Sequence, residues 1–370
     1  MQSQRTTLAC CGRHEGADVA RHVSSRQCYM SAVFPQPRTV TPTSESANGH
    51  QGGAPGTGLN GGTGLNGKAP GKTPDGVAAC RSPLPRVAGG TVLDVSPQVL
   101  VLDCDEGERR LALDAGTVVW RGGSVAATEL QGGEHVVARL LPGHRDAADK
   151  VWARIGRVTG TVIDYAPDHL LVDVGKTRAP QTIVISSHAA TRIQVRFPAL
   201  GPGSVIDVIG LRRGEVLEAV VPATSQAASL ARPVIGRSAS VDARSGGISG
   251  AATWHEPVGP DEPAEGVAYP AVDPVDGCAE QTATGPGVAA LPYLAVGSML
   301  AVRNDCTGTT TVLPVTGCAP VAPLFYDRCL SCGPSARGRV ADLTLASFVA
   351  LGGDPERSCI NATIMMGQRR

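Results

Sequence analysis

Residues 326–333, with the sequence YDRCLSCG, bring together an aspartate, an arginine and two cysteines three positions apart. Residues of these types at this spacing serve three kinds of chemistry. They can form part of a metal site, act as a redox pair, or belong to a loop that is cross-linked by disulfides and presents a carboxylate. Each of the three needs different partners elsewhere in the chain, so the remaining cysteines and the following residues decide among them.

The partners favour the cross-linked loop. A structural zinc ion takes four ligands, commonly from two closely spaced pairs, whereas Cys306 and Cys318 are far apart in the sequence. A thioredoxin-like pair lies at the start of a helix after a strand, but Cys332 is followed by the loop-forming run GPSARG. We therefore expect no metal and no cofactor. Whether Cys329 and Cys332 pair with each other stays open.

Six of the eleven cysteines fall within about the last hundred residues. Such crowding in one small module is typical of a disulfide framework, which forms in an oxidising compartment, and it predicts an extracellular or cell-envelope location. Residues 1–45 contain no apolar run typical of a signal peptide, so we expect an unrecognised export route or a different start codon. No run of about 18 apolar residues indicates a transmembrane segment. The six cysteines, whose pairing the sequence does not fix, are Cys278, Cys306, Cys318, Cys329, Cys332 and Cys359.

The balance of charge excludes one class of partner. Lysine plus arginine number 33, and aspartate plus glutamate number 33. No net field therefore attracts the protein to a polyanion or to an anionic membrane surface. We expect no nucleic-acid partner.

Composition divides the chain into a tether, a repeated region and a C-terminal module. Residues 1–86 include a segment rich in Gly, Pro, Thr and Asn with the repeat TGLNGG and TGLNGK. This composition cannot bury enough apolar surface to offset the entropy of ordering, so it predicts a disordered tether. Residues 223–248 are rich in Ser, Ala and Gly and are predicted to be a linker before the module at 249–370.

Residues 87–157 and 158–222 contain two copies of one β module. The string GTVLD at 90–94 returns as GTVID at 160–164, and LVLD at 100–103 returns as LLVD at 170–173. Short β-branched runs separated by turn signals predict a small barrel in each copy. The period, the GxV opening and the L-x-x-G pattern resemble OB-like repeats of exported bacterial proteins. We expect the aromatic residues of these modules to pack in the cores rather than to stack on a ligand; they are Trp120, Trp152, Tyr165 and Phe197.

The module at 249–370 consists mostly of predicted strands, with one short helix. Thr344 is placed to cap this helix, Leu345 and Phe348 share a face with Leu351, and two glycines end it. The simplest architecture for this order is a β-barrel with one short helix packed against it and with disulfide cross-links. The predicted fold class of the whole chain is accordingly mainly β.

Several motifs of the C-terminal module form an ordered series. They are ATW at 252–254, LP at 291–292 leading to GS at 297–298, VRN at 302–304, DRCLSCG at 327–333 and RVADLT at 339–344. The series resembles the double-psi β-barrel of the superfamily that includes rare lipoprotein A, barwin and expansin. The resemblance covers about 115 residues, and the order of the motifs is far more specific than any one of them.

This resemblance implies a cell-wall protein that binds polysaccharide, with peptidoglycan as the expected partner. In relatives of rare lipoprotein A, the aspartate before the turn is associated with lytic transglycosylase activity, which implies Asp327 as a catalytic acid/base. One such residue can suffice because the product is an anhydro sugar. The alternative is a non-catalytic carbohydrate-binding or structural wall protein of the expansin or barwin type. A second register places the turn at 316–320, where the acid is missing, and fits this alternative.

Three further residues are candidates for substrate binding. Trp254 and Tyr293 could each stack on a sugar ring or pack in the barrel. Asp342 could line a groove, or it could hold the start of the helix through hydrogen bonds to backbone N–H groups.

Overall fold

A computed structural model describes residues 87–175, 179–226, 247–256, 263–272 and 291–366. The predicted tether, most of the predicted linker and Cys278 lie outside these residues. The described residues belong to one compact unit and are mainly β, with eighteen strands and two α-helices among them. The predicted fold class is confirmed.

The first module is a seven-stranded sheet in the order β3-β2-β1-β6-β7-β4-β5. β4 pairs in parallel with β7, and Ala112 at the end of β3 bridges to Ala147 just before β7. Segments β3 and β4 therefore link the β2 edge of the sheet to β7, as one broken strand would in a barrel. The strands are β1 (Val87–Val95), β2 (Val99–Cys104), β3 (Gly107–Ala112), β4 (Val118–Trp120), β5 (Ser124–Val125), β6 (His135–Leu140) and β7 (Ala148–Ala153).

The second module is a closed five-stranded barrel in the order β10-β12-β11-β8-β9. β10 and β12 run parallel, and the other pairs are antiparallel. A helix lies between the third and fourth strands, which gives the connectivity of an OB fold. The elements are β8 (Ile155–Tyr165), β9 (His169–Asp173), β10 (Gln181–Ile185), α1 (Ser187–Arg196), β11 (Val205–Arg213) and β12 (Val216–Pro222).

The repeated strings adopt the same local geometry in both modules. The pairing of β1 with β2 shifts register between Val92 and Asp94, and the pairing of β8 with β9 shifts between Val162 and Asp164. A β-bulge therefore occurs at equivalent positions in the two copies. The expected core packing of the aromatic residues holds for Trp120, Trp152 and Phe197, which are buried, and is wrong for Tyr165, which is exposed.

Gly90 and Gly160 begin the two strings because the neighbouring strand leaves no room for a side chain. A Cβ at Gly160 would lie 2.1 Å from the carbonyl oxygen of Asp173, and one at Gly90 would lie 2.4 Å from that of Asp103.

We expect Gly160→Ala to lower the free energy of unfolding by about 1–3 kcal/mol through overpacking, measured by urea unfolding. Gly201→Ala is the matched control, since no described heavy atom lies within 4 Å of its Cβ. Equal midpoints for the two variants would contradict the repeated close approach.

The third module is a closed six-stranded barrel in the order β13-β17-β14-β16-β15-β18. Its first strand begins at Gly247, two residues before the predicted boundary. The elements are β13 (Gly247–His255), β14 (Val267–Tyr269), β15 (Met299–Asn304), β16 (Thr310–Cys318), β17 (Arg339–Thr344), α2 (Leu345–Ala350) and β18 (Ile360–Met366).

The pairing in this barrel has an internal two-fold symmetry. β13 with β17 and β14 with β16 are parallel pairs, and the remaining pairs are antiparallel. The symmetry exchanges β13 with β16, β14 with β17, and β15 with β18. This exchange converts the parallel pair β13–β17 into the parallel pair β16–β14. The same exchange converts β13–β18 into β16–β15 and leaves β14–β17 and β15–β18 unchanged. This is the arrangement of a double-psi barrel.

Helix α2 forms for the reasons that the sequence indicates. The Thr344 hydroxyl accepts a hydrogen bond from the backbone N–H of Ser347. Leu345 and Phe348 are buried against the barrel. The left-handed backbone of Gly352, at φ +82°, ends the helix. The predicted helix and its cap are confirmed.

Candidate functional site

Asp327 lies at the junction between the second and third modules. Its side chain is 13% exposed. Oδ2 accepts hydrogen bonds from the Thr224 hydroxyl at 2.6 Å and from the Ser225 backbone N–H at 3.2 Å, and both donors follow β12. Nε of Arg339 lies 3.7 Å from Oδ1. The carboxylate therefore faces the end of the second module, and the first residues of the predicted linker are held against the third.

Arg339 connects Asp327 to a second buried carboxylate. Asp207 on β11 accepts hydrogen bonds from Arg157 Nη2 at 2.7 Å and Nε at 2.9 Å, and also from Arg339 Nη2. Asp207, Arg157 and Arg339 are all buried, and the Arg339 guanidinium lies 3.7 Å from the ring centroid of Phe325. We call the series Arg157, Asp207, Arg339 and Asp327 the junction network.

Within the junction network, Asp207 and Arg157 hold each other in their charged forms. Burial raises the pKa of Asp207, but the charges and hydrogen bonds of Arg157 and Arg339 outweigh burial and hold this pKa below its ordinary value. Burial lowers the pKa of Arg157, but the charge and hydrogen bonds of Asp207 outweigh that and raise it. The network therefore joins β8, β11 and β17 by buried ionic hydrogen bonds.

This position bears on the predicted catalytic role of Asp327. A general acid must come within hydrogen-bond reach of the substrate oxygen that it protonates. In the described surroundings of Asp327, a hydroxyl and a backbone N–H approach one oxygen and a guanidinium approaches the other. The structure thus gives Asp327 a role in joining two modules, and its catalytic role stays a prediction.

Trp254 is part of the core of the third barrel. Its side chain is 1% exposed, and its indole N–H donates a hydrogen bond to the Pro355 carbonyl at 3.0 Å. The Arg157 guanidinium lies 5.6 Å from the ring centroid. Stacking of a sugar on Trp254 would require a conformation other than this one.

Tyr293 is 56% exposed, so its ring is available to a ligand. The backbone on either side of it is fixed. The Tyr269 hydroxyl donates to the Pro292 carbonyl at 3.2 Å, and the Leu294 N–H donates to the Ala271 carbonyl at 3.1 Å. Tyr326, in the YDRCLSCG stretch, is also exposed; the sequence does not predict it as a contact, because nothing in it distinguishes a surface tyrosine from a core one.

Asp342 on β17 belongs to a small polar cluster with Thr253 and His255, which we call the Asp342 cluster. The Thr253 hydroxyl donates to Oδ1 at 2.7 Å, and His255 Nδ1 lies 3.6 Å from Oδ2. Burial raises the pKa of Asp342, but the hydrogen bond and charge of His255, with smaller contributions from Arg157 and Thr253, outweigh burial and place the pKa below its ordinary value. The helix is capped by Thr344. Of this cluster, Asp342 alone is predicted from the sequence as a substrate-binding residue.

The lowered pKa of Asp342 predicts a dependence of stability on pH. A carboxyl group with a depressed folded-state pKa contributes stability that is fully present above its unfolded pKa and is lost as the pH falls toward the folded pKa. We expect the difference in unfolding free energy between the wild type and Asp342→Asn to be larger at about pH 5 than at about pH 2.5, measured by urea unfolding. A difference that is constant across this range would contradict the assignment.

The cysteines form disulfides that cross-link the third barrel. Cys306 pairs with Cys332 and Cys329 pairs with Cys359, with Cα–Cα distances of 5.6 and 5.9 Å. Cys318 is also disulfide-bonded. The predicted disulfide-linked loop is confirmed, and the open question of pairing is answered: Cys329 and Cys332 are bonded to different partners.

The described residues include no group of three or more His, Cys, Asp or Glu side chains placed to hold a metal ion. The helices found among them are too short or too polar to cross a bilayer.

Comparison of the chain with protein-family models and with curated proteins finds no match. The resemblance to the superfamily of rare lipoprotein A, barwin and expansin therefore stays a prediction from the ordered motifs.

Proposed function

We propose that the third barrel is a carbohydrate-binding module that binds a cell-wall polysaccharide, peptidoglycan, without cleaving it. The observation that carries the proposal is that three of the five ordered motifs lie on strands of one closed barrel. ATW lies in β13, VRN lies in β15, and RVADLT is β17, followed directly by α2. A resemblance spread over unconnected loops would carry much less weight than one that follows the strands of a double-psi barrel.

The cross-links support the compartment in which this function would operate. Two disulfides with both partners described hold the loop after residue 326 to the β15–β16 turn and to the start of β18. Disulfides of this kind persist in oxidising surroundings. In a cell with a wall, a protein in this compartment would be within reach of the wall polysaccharide.

Two carboxylates argue for binding without cleavage. One oxygen of Asp327 accepts hydrogen bonds from Thr224 and Ser225, and the other faces the Arg339 guanidinium at 3.7 Å. Asp342 has a lowered pKa, so it is ionised near neutral pH, whereas a general acid must carry a proton there. An ionised carboxylate beside a threonine hydroxyl is instead suited to accept hydrogen bonds from sugar hydroxyls.

A sedimentation assay with purified insoluble peptidoglycan tests the proposal. We expect the oxidised full-length protein to sediment with the polymer, and Tyr293→Ala to weaken binding by about fivefold or more, because truncating an aromatic contact commonly costs ~1 kcal/mol or more. Tyr165→Ala is the matched control, since it removes an exposed tyrosine from the second module. Failure of the wild type to sediment would overturn the proposal, and equal binding by the two variants would overturn the role of Tyr293.

Cleavage is tested separately by mass spectrometry of the soluble products. We expect no anhydro-muropeptides after incubation of the wild type with peptidoglycan. Their release by the wild type, together with their loss in Asp327→Asn, would replace the binding proposal with that of a lytic transglycosylase. Because the assay detects products directly, a result here does not depend on the affinity measured by sedimentation.

A further inference from the structure

The two fully described disulfides of the third barrel differ in exposure. Cys306 and Cys332 are both exposed residues, and Cys332 lies within the exposed run 330–334. Cys329 is 1% exposed and Cys359 is half-buried. The two cross-links share the short segment that holds Cys329 and Cys332, yet their residues differ widely in exposure to solvent.

Exposure decides which disulfide an external thiol can open. Exchange begins when a thiolate attacks one sulfur in line with the S–S bond, so access to that sulfur controls the rate. Exposed disulfides are the labile members of a protein, whereas buried ones resist reduction. On this ground the Cys306–Cys332 bond is the reactive one.

The loop that carries Cys332 has other attachments. The Asn361 side-chain amide donates to the Gly333 carbonyl at 2.8 Å, and the Ser331 hydroxyl donates to the Cys359 carbonyl at 3.0 Å. Ser335 exchanges two hydrogen bonds with the backbone of Cys329, at 2.8 and 3.0 Å. These contacts, together with the Cys329–Cys359 bond, remain when Cys306 and Cys332 separate.

The other end of the exposed cross-link is also held independently. The Cys306 backbone N–H donates to Asn304 Oδ1 at 2.9 Å, and Asn304 Nδ2 donates to the Leu351 carbonyl at 2.8 Å. Asn304 is buried and ends β15 within the barrel. Opening the Cys306–Cys332 bond therefore leaves both of its ends attached to the fold.

We propose that Cys306–Cys332 is a reversible thiol–disulfide exchange site that an external dithiol opens while Cys329–Cys359 stays closed. One thiolate of the dithiol attacks Sγ of Cys332, the bond to Cys306 breaks, and the Cys306 thiolate takes up a proton. The second thiol of the dithiol then attacks the mixed disulfide and releases Cys332 as a thiol. The dithiol is oxidised to a disulfide, and the protein gains two electrons and two protons.

The exchange stops after one disulfide because of the position of Cys329. The released Cys332 thiolate lies three residues from Cys329 and could attack it, which would expel Cys359. Cys329 is buried, and its sulfur lies 3.2 Å from the Ser331 hydroxyl. We expect this contact and the burial of Cys329 to disfavour the second exchange in the folded barrel.

Differential labelling of the oxidised full-length protein tests the order of reduction. Thiols that are free at the start, such as Cys104, are blocked with N-ethylmaleimide. The protein is then treated with graded dithiothreitol, labelled with the isotopically heavy reagent and mapped by mass spectrometry. We expect Cys306 and Cys332 to be labelled together at a dithiothreitol concentration about tenfold or more below that needed for Cys329 and Cys359. Simultaneous labelling of all four, or labelling of Cys329 and Cys359 first, would overturn the proposal.

Two double variants test whether the fold tolerates the opening. We expect Cys306→Ser with Cys332→Ser to keep the near-ultraviolet circular dichroism of the wild type. We expect Cys329→Ser with Cys359→Ser to lower the Tm by a larger amount. Unfolding of the first variant, or a smaller loss of Tm in the second, would show that the exposed bond is structural and would also overturn the proposal.

Discussion

The variant Asp207→Ala is expected to unfold with a free energy about 3–5 kcal/mol below that of the wild type, the cost typical of removing one partner from a buried ion pair. Asp207 is fully buried and binds Arg157 and Arg339 together. Without the carboxylate, two buried guanidinium groups face each other with no anion between them. Urea unfolding followed by tryptophan fluorescence measures the loss.

A matched carboxylate in the same module provides the control. Asp168 is exposed and pairs with His169 next to it in the sequence, so Asp168→Asn should leave the urea midpoint unchanged. Because Arg157 and Asp207 belong to the second module and Arg339 to the third, hydrogen exchange of Asp207→Ala should increase in both β11 and β17. A wild-type midpoint for Asp207→Ala would show that the junction network does not hold the modules together.

The parts of the fold that the sequence predicted are those set by local rules. The strings GTVLD and GTVID predict the repeat, and the structure shows why they recur. Each begins with a glycine, where an added Cβ would collide with the carbonyl oxygen of a neighbouring strand. The short helix was predictable because its cap and its terminating glycine lie within ten residues of each other. The double-psi arrangement is predicted from the order of the motifs, because no local sequence pattern specifies parallel strand pairing.

The junction network could not be predicted in this way. Its members come from β8, β11, β17 and the segment after the turn at Ala322–Leu324, and they meet only when two modules dock. A single charged residue in a strand gives the same sequence pattern whether its side chain faces solvent or another module. The same limit explains why Asp327 looked like a site residue: its sequence neighbours match a motif, but its hydrogen-bond partners lie about a hundred positions away.

The position of Asp327 determines how the effects of its substitution can be interpreted. A carboxylate that accepts bonds from Thr224 and Ser225 couples the loop after β16 to the preceding module. Substitution of Asp327 therefore changes module packing as well as any chemistry. A loss of polysaccharide binding in Asp327→Asn is evidence about the site only when the variant also retains the wild-type unfolding midpoint.

Trp254→Ala is the second substitution for which we expect a large effect, a loss of about 3–5 kcal/mol in the free energy of unfolding. The indole is buried between the third barrel and Arg157 of the second module, and its N–H donates to the Pro355 carbonyl. Removing the ring leaves a cavity between the barrel and Arg157, whose guanidinium stacks over it. Urea unfolding at constant ionic strength measures the loss.

Trp254→Phe separates packing from hydrogen bonding. It keeps most of the ring volume but leaves the Pro355 carbonyl without its donor, and a buried acceptor left unpaired costs about 1–3 kcal/mol. The two variants should therefore be ranked, with alanine the more damaging. If Trp254 were instead a platform for sugar rings, both variants would lose affinity for peptidoglycan while keeping the wild-type midpoint. A ring held in the core predicts the opposite pattern, because stability falls first and binding falls only to the extent that the barrel unfolds.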